Sequence, residues 1–193
     1  MNILTDALPE HIEINGKSLK IRTDFRIWIE FDGIMHQRDI LSKDKYMMAV
    51  RMCFDEQDDV LSEFCVNDVM DKLCEFFLVG KKRDRQSKES NGNRVLSFSE
   101  DGDYIFAAFM SQYGIDLMSI PYMHWFVFSA LLKGLDDSNR LVKIMSWRAL
   151  EPEQEENPKK RAYLRKMKEI YALPDTRTPE EMDRDIAEAL SEL

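Results

Sequence analysis

The sequence has few of the residues from which catalytic and metal centres are built. It contains three histidines and three cysteines, whereas a zinc site takes three or four closely spaced ligands. Neither an H-E-x-x-H nor a C-x-x-C spacing occurs. We therefore expect no metal and no cofactor, and we expect Cys53, Cys65 and Cys74 to stay reduced in a cytosol.

Glycine is also scarce, with seven residues in a chain of 193. A loop that cradles phosphate needs several closely spaced glycines, and there is no G-x-S-x-G sequence to position a serine nucleophile. The acidic stretch that begins at Asp55 has Val60 and Val66 where a calcium loop needs Gly and Glu. These absences predict that the protein has no catalytic residues and is not an enzyme.

No apolar run is long enough to cross a membrane. The longest one follows Pro121, has about 13 residues where a spanning helix needs about 20, and is interrupted by His124 and Ser129. The N-terminus shows no basic region followed by an apolar run and a cleavage site. The net charge of −9 disfavours contact with a phosphate backbone. We therefore expect a cytoplasmic protein that binds neither membranes nor nucleic acid.

Two basic segments keep a DNA-binding regulator open as an alternative. The first, from Lys81 to Arg94, has no interleaved aromatic residues, and the second, from Lys159 to Lys168, follows several glutamates that offset its field. Solvated helix faces are the favoured interpretation of both. The second segment also has the pattern of a basic amphipathic helix, which suits docking in an acidic groove.

Turn signals and apolar periodicity predict a mainly α fold with a short N-terminal β-hairpin. Asn15-Gly16 separates two runs of alternating apolar and polar residues, which is the strongest short-range signal for a hairpin. Thr23 or Asp24 is suited to capping the helix that follows. The spacing of apolar residues predicts further helices over 42–54, 67–79, 138–149 and 158–173.

The densest apolar pattern runs from Asp101 to Leu135. We predict a first helix that ends at Gly114, where glycine favours a left-handed stop. We predict that Pro121 opens a second helix, which ends at Gly134. Apolar residues cover nearly its whole circumference, which is typical of a helix that is central in a core or pressed against a partner.

His124, in this apolar stretch, has two interpretations. The functional one is a buried switch or a ligand. The favoured one is a core histidine with one hydrogen-bond partner, because no carboxylate or cysteine lies three or four residues away.

Two changes in composition divide the chain. Residues 81–97 contain almost nothing to bury and are predicted to form a flexible connection, and an acidic break follows Leu150. We therefore predict a helical core domain over residues 1–150 and a C-terminal helical extension over residues 151–193.

The predicted extension ends in a helix that begins near Thr178, where the sequence fits both a capping box and a proline in the first turn. Its narrow apolar stripe includes Met182, Ile186 and Leu190. So narrow a face predicts docking onto the body of this chain or onto another chain.

Several ordered motifs carry a family resemblance. DYIFAAFMSQYGIDL is followed by HWFVF, ALLKGL and LVKIMSWRAL, and the chain opens with MNILTDALPEHIEINGKSLKIRTDFRIWIEFD. Over roughly residues 1 to 150, this order of aromatic and glycine positions resembles the bacteriophage "gene product fifteen" family. These are small proteins of tailed phages and prophages of Gram-positive bacteria, usually encoded between the major tail protein and the tape-measure protein.

The resemblance implies a tail-assembly protein of the host cytoplasm, and a chaperone for the tape-measure protein is the favoured role. The implied partners are the tape-measure protein and the major tail protein, and a homo-oligomer stays open. A structural tail or connector component of the virion is the alternative. The predicted partner-binding residues, provided that they are partly exposed, are Tyr104, Phe109, Tyr113, Trp125, Phe128, Met182, Ile186 and Leu190.

Overall fold

The computed structural model describes residues 2–37, 40–55, 60, 63–80 and 94–174. Within these ranges the chain is mainly α, as predicted, with one two-stranded hairpin and seven α-helices. The strands are β1 (His11–Ile14) and β2 (Lys17–Lys20). The helices are α1 (Phe25–His36), α2 (Ser42–Cys53), α3 (Val66–Phe77), α4 (Gly102–Tyr113), α5 (Trp125–Lys133), α6 (Arg140–Ala149) and α7 (Pro158–Ile170). A short 3-10 helix (Pro152–Gln154) precedes α7.

The predicted hairpin is confirmed. Asn15 and Gly16 have φ of 51° and 81°, the left-handed backbone that a two-residue hairpin turn requires. The strands pair antiparallel with Ile12 opposite Leu19. A two-stranded ribbon is marginal by itself, and Ile12 and Ile14 are accordingly buried in the core, where β1 contacts α3.

Local signals also set most helix ends as predicted. Asp24 caps α1, where its Oδ1 accepts a hydrogen bond from the Arg26 N–H at 3.0 Å. Asn157 caps α7 in the same way. Gly114 ends α4 with a φ of 66°, a conformation that glycine adopts without a steric penalty.

The predicted start of the second apolar helix at Pro121 is wrong, because α5 begins at Trp125 with His124 as its N-cap. The residues before Trp125 are held extended by the strand-like segment before α1. Asp24 and His124 form an antiparallel bridge. The Trp125 N–H donates to the Thr23 carbonyl at 2.8 Å, and the Phe25 N–H donates to the Met123 carbonyl at 2.9 Å. The same bridge places the N-termini of α1 and α5 side by side.

Stacked aromatic rings fill the space between α1, α4 and α5. Phe128 lies at their centre, with its ring 4.7 Å from that of Phe25, 5.1 Å from that of Phe109 and 5.7 Å from that of Trp125. The Trp125 indole N–H donates to the Phe77 carbonyl at 2.9 Å. The apolar circumference of α5 thus reflects its central place in the core.

A buried ion pair ties the second half of the chain together. Arg148 of α6 donates through its two terminal nitrogens to the Asp101 carboxylate at 2.6 and 2.9 Å. The Arg148 and Asp101 side chains are only 7% and 1% exposed. Arg148 also donates to the carbonyls of Val95 and Tyr171. One guanidinium thus joins α6 to three other positions in the chain.

The last four residues of the predicted flexible connection, 94–97, contact the helices. Arg94 donates to Asp32 at 3.0 Å, and the Ser97 N–H donates to Asp101 at 2.9 Å. These partners lie on α1 and at the start of α4, so the composition of the segment did not reveal them. Residues 81–93 lie outside the described ranges.

The C-terminal helix α7 packs on α6. The Trp147 and Tyr171 rings stack with centroids 5.2 Å apart. Helix α7 ends at Ile170, three residues before its predicted end, in keeping with the bias against helical backbone just before Pro174. The helix predicted from Thr178 lies outside the described residues. No helix among those described has both the length and the apolar character to cross a bilayer.

The buried pair yields a stability prediction. Replacing Asp101 with Ala leaves the Arg148 guanidinium buried without its counter-charge, so we expect the free energy of unfolding to fall by about 3–5 kcal/mol. Urea denaturation followed by circular dichroism measures this change. The control is Glu153→Ala, which removes the exposed partner of Arg165 and is expected to leave the urea midpoint unchanged. Equal effects of the two substitutions would show that the buried pair has no special weight.

Candidate functional site

Three of the residues predicted to bind a partner lie in the core. Phe109 and Phe128 are 0% exposed and Trp125 is 3% exposed. Their rings stack on one another between α1, α4 and α5. The condition of partial exposure is therefore not met for these three residues in the isolated chain, because the same apolar side chains complete the fold itself.

Of the other five predicted contact residues, two are partly exposed and three lie outside the described residues. Tyr104 and Tyr113 of α4 are half-buried, and the Tyr113 hydroxyl donates to the Leu131 carbonyl at 2.9 Å. Met182, Ile186 and Leu190 lie outside the described residues. The described part of the predicted surface is therefore reduced to two tyrosines, one of which is committed to a neighbouring helix.

A cleft between α1, α2 and α3, which we call the α1–α3 cleft, is a candidate site among the described residues. Its volume is about 830 Å³, within the range of protein sites that hold a ligand or a partner side chain. The lining residues are Phe31, Asp32, Met35, His36, Tyr46, Asn67, Asp68, Met70, Asp71, Cys74, Phe77 and Leu78.

The apolar part of the α1–α3 cleft includes several aromatic and methionine side chains. Phe31 and Phe77 lie against each other with ring centroids 5.6 Å apart, and Met35 and Met70 line the cleft beside them. Methionine is unbranched and polarisable, so a surface that contains it adapts to apolar groups of different shapes. This side of the cleft is therefore suited to bind apolar side chains of several different shapes.

Three aspartates also line the cleft. Asp68 and Asp71 are exposed on α3, whereas Asp32 is buried at the α1 side. Burial raises the pKa of Asp32, although its ion pairs with His36 at 3.4 Å and Arg94 at 3.0 Å act in the opposite direction. The exposed Asp68 carboxylate gives this end of the cleft a negative rim that favours a basic partner.

Helical periodicity does not predict this cleft, although several of its residues follow an apolar spacing. Met70 and Phe77 follow the helical spacing of α3, and Tyr46 follows that of α2. Their spacing shows that they point toward other helices, but not that three helices diverge enough to leave space between them. One sequence feature does indicate a mixed surface here. Asp32 and Met35 are three residues apart, so a carboxylate and an apolar side chain are neighbours on α1.

His124 is a buried histidine with hydrogen-bond partners, as the favoured interpretation held. Its Nδ1 accepts from the Phe126 N–H at 3.0 Å, so its Nε2 carries the proton and donates to the Pro9 carbonyl at 3.0 Å. Burial lowers the pKa of His124, and the Pro9 bond and the charge of Glu10 only partly oppose this. The neutral ring therefore acts as a helix cap that also holds the N-terminal segment.

The second basic segment is paired with its acidic neighbours. Arg165 lies 2.5 Å from Glu153, Lys160 lies 2.6 Å from Glu155, and Arg161 donates to the Glu155 carbonyl at 2.8 Å. These bonds hold the pKa values of both glutamates below their usual range. In the part of the chain that the structure describes, no group of three His, Cys, Asp or Glu residues could hold a metal ion.

Comparison with known proteins identifies a family to which the chain is similar. A family model described as "Bacteriophage Gp15 protein" matches residues 4–173, so the similarity extends through α7 and past residue 150, where the sequence motifs ended. No curated protein and no solved structure matches the chain.

The His124 cap yields a pH prediction. Because the folded-state pKa is lowered below the ordinary value of 6.5, the cap stabilises the protein above pH 6.5 and is lost as the pH falls through the lowered pKa. We expect this loss to remove about 1 kcal/mol of stability. Asn also caps helices but does not titrate in this range, so His124→Asn should lose less stability on acidification.

Urea denaturation at several pH values between 7 and 5 measures the effect, with the same replacement at the exposed His11 as the matched control. If the His124→Asn and wild-type proteins lose stability in parallel on acidification, protonation of this ring does not break the cap.

Proposed function

Because the chain belongs to the bacteriophage Gp15 protein family, we propose that it acts in tail assembly as a chaperone that binds and solubilises the tape-measure protein. It does so as a binding protein and not as an enzyme. The single observation that carries the choice is the α1–α3 cleft, which combines an adaptable apolar surface with an acidic rim.

The physical problem in tail assembly is exposed apolar surface. A tape-measure protein is a long helical rod, and its apolar stripes face water until tube subunits assemble around it. Such surface aggregates unless it is covered. Several copies of a small protein, each bound to one stretch of the rod, would keep it dispersed.

The α1–α3 cleft supports this role by its chemistry. An amphipathic helix that docks in a groove inserts its apolar side chains and leaves its flanks at the rim. Phe31, Met35 and Phe77 supply an apolar lining, and Asp68 supplies a rim charge. The preferred targets are therefore apolar helical stretches flanked by Lys or Arg.

The charge of the whole chain supports the same role. At a net charge of −9, copies bound along one rod repel one another and other complexes, which keeps the assembly in solution. Contacts that depend on a charged rim are weakened by salt and form quickly. A protein bound in this way can be displaced when tube subunits bind the rod more tightly.

Two substitutions in the cleft test the proposal. Asp68→Lys reverses a rim charge in the first turn of α3, and Leu78→Gln removes an apolar group at its C-terminal end. We expect the double variant to capture about tenfold less tape-measure protein on co-expression, since losing one well-placed contact costs about 1.4 kcal/mol or more. Pull-down and the soluble yield of the tape-measure protein are the measurements.

A matched control exists elsewhere in the fold. Asp103 is likewise acidic in the first turn of a helix, and Leu150 is likewise a partly exposed leucine at a helix C-cap. The Asp103→Lys and Leu150→Gln double variant should behave as wild type. If both double variants bind equally, the cleft is not the site, and if wild-type protein neither captures nor solubilises the tape-measure protein, the chaperone role is lost.

The composition of finished particles separates this role from that of a structural component. A chaperone leaves when the tube forms, so we expect mass spectrometry of purified virions to detect far less than one copy of this protein per copy of the tape-measure protein. Stoichiometric retention would instead identify a tail or connector component.

A further inference from the structure

The exposed side of α7 carries a surface that no described part of the chain covers, and we infer that the acidic C-terminal segment, residues 175–193, docks on it. We call this surface the α7 outer face and define it by Lys159, Tyr163, Lys166 and Ile170. The inference concerns the isolated chain and does not depend on the proposed function.

The α7 outer face combines two apolar groups with two cations. Tyr163 is 50% and Ile170 is 56% exposed, and their separation of seven residues places them on one side of the helix. Lys159 and Lys166 have the same separation and form the adjacent row, and both are exposed. Large apolar side chains between lysines are suited to an acidic amphipathic partner.

The opposite side of α7 is already occupied. Arg161 donates to the Glu155 carbonyl, Arg165 pairs with Glu153, and Lys168 donates to the Leu150 carbonyl at 2.9 Å. Tyr171 stacks on Trp147. The described residues thus anchor the helix along one side and leave its outer face uncovered.

The last 19 residues have the complementary composition. They contain seven acidic residues and two arginines, for a net charge of −5. Met182, Ile186, Leu190 and Leu193 recur at helical spacing, and the acidic residues Glu181, Asp185, Glu188 and Glu192 form a row beside them. An apolar row beside an acidic row matches the apolar and basic rows of the α7 outer face.

Chain length permits this contact within one molecule. Helix α7 ends at Ile170, and the helix predicted from Thr178 would need only a short connection to turn back along it. A helix over residues 178–193 is about 24 Å long, against about 20 Å for α7. If residues 178–193 form the predicted helix and run antiparallel to α7, this rise brings Ile186 level with Tyr163 and Asp185 within reach of Lys166.

Zero-length cross-linking of the full-length protein tests the inference. A carbodiimide joins a lysine amine directly to a carboxylate only when the two are in contact. We expect tryptic peptides that link Lys159 or Lys166 to an acidic residue between 180 and 192, recovered from monomeric protein at low concentration. Links found only in dimeric protein would mean that a second copy covers the α7 outer face. An absence of links to residues 175–193 would mean that this segment does not cover it. Either result overturns the inference.

A pair of variants gives a second readout. Ile186→Asp places a charge in the apolar row, whereas Ala187→Asp makes the same change at the adjacent residue, outside that row. We expect amide hydrogen exchange in α7 to be about tenfold faster in Ile186→Asp than in wild type and unchanged in Ala187→Asp, because packing slows local opening. Identical exchange in all three proteins would contradict docking of the segment on α7.

Discussion

The backbone bridge between Asp24 and His124 is the constraint on which the rest of the architecture depends. It joins two segments 100 residues apart, and each bridged residue also caps the helix that follows it. Helices α1 and α5 therefore start at the same level and run beside each other. Phe25, in the first turn of α1, packs in the aromatic core, whereas Asp32 and Met35, further along the helix, line the cleft toward α2 and α3. The position of the cleft is thus a consequence of how α1 is fixed.

Local chemistry explains what could be predicted from the sequence. Asn15-Gly16, Asp24 and Gly114 act through their own backbone and capping preferences, so their roles are visible in a few residues of sequence. The start of α5 could not be predicted in this way. Pro121 is compatible with a helix start, but the hydrogen bonds that hold the backbone extended to His124 come from Thr23 and Phe25. Proline permits a helix start but does not impose one. Hydrogen bonds to the distant segment at Thr23 and Phe25 set the start of α5 at Trp125 instead.

The candidate site depends even more on long-range contacts that local sequence does not reveal. Periodicity identified the aromatic residues of α4 and α5 as adhesive, but it cannot tell a helix buried by its own chain from a helix buried by a partner. Phe128 is fully buried within this chain. The order of residues 94–97 depends on Arg94 and on the reach of Arg148 to the Val95 carbonyl, both contacts across more than 50 residues. The net charge was a better guide to the site, because the chain is acidic overall and aspartates also line the cleft.

The central claim is that an apolar, basic-flanked stretch of the tape-measure protein occupies the α1–α3 cleft. Hydrogen exchange of the wild-type protein, with and without the tape-measure protein, tests this most directly because it maps the contact without altering either partner. The claim predicts slower amide exchange in the last turn of α1 and along α3, with little change in α6. Protection confined to other helices, or no protection at all, would contradict it.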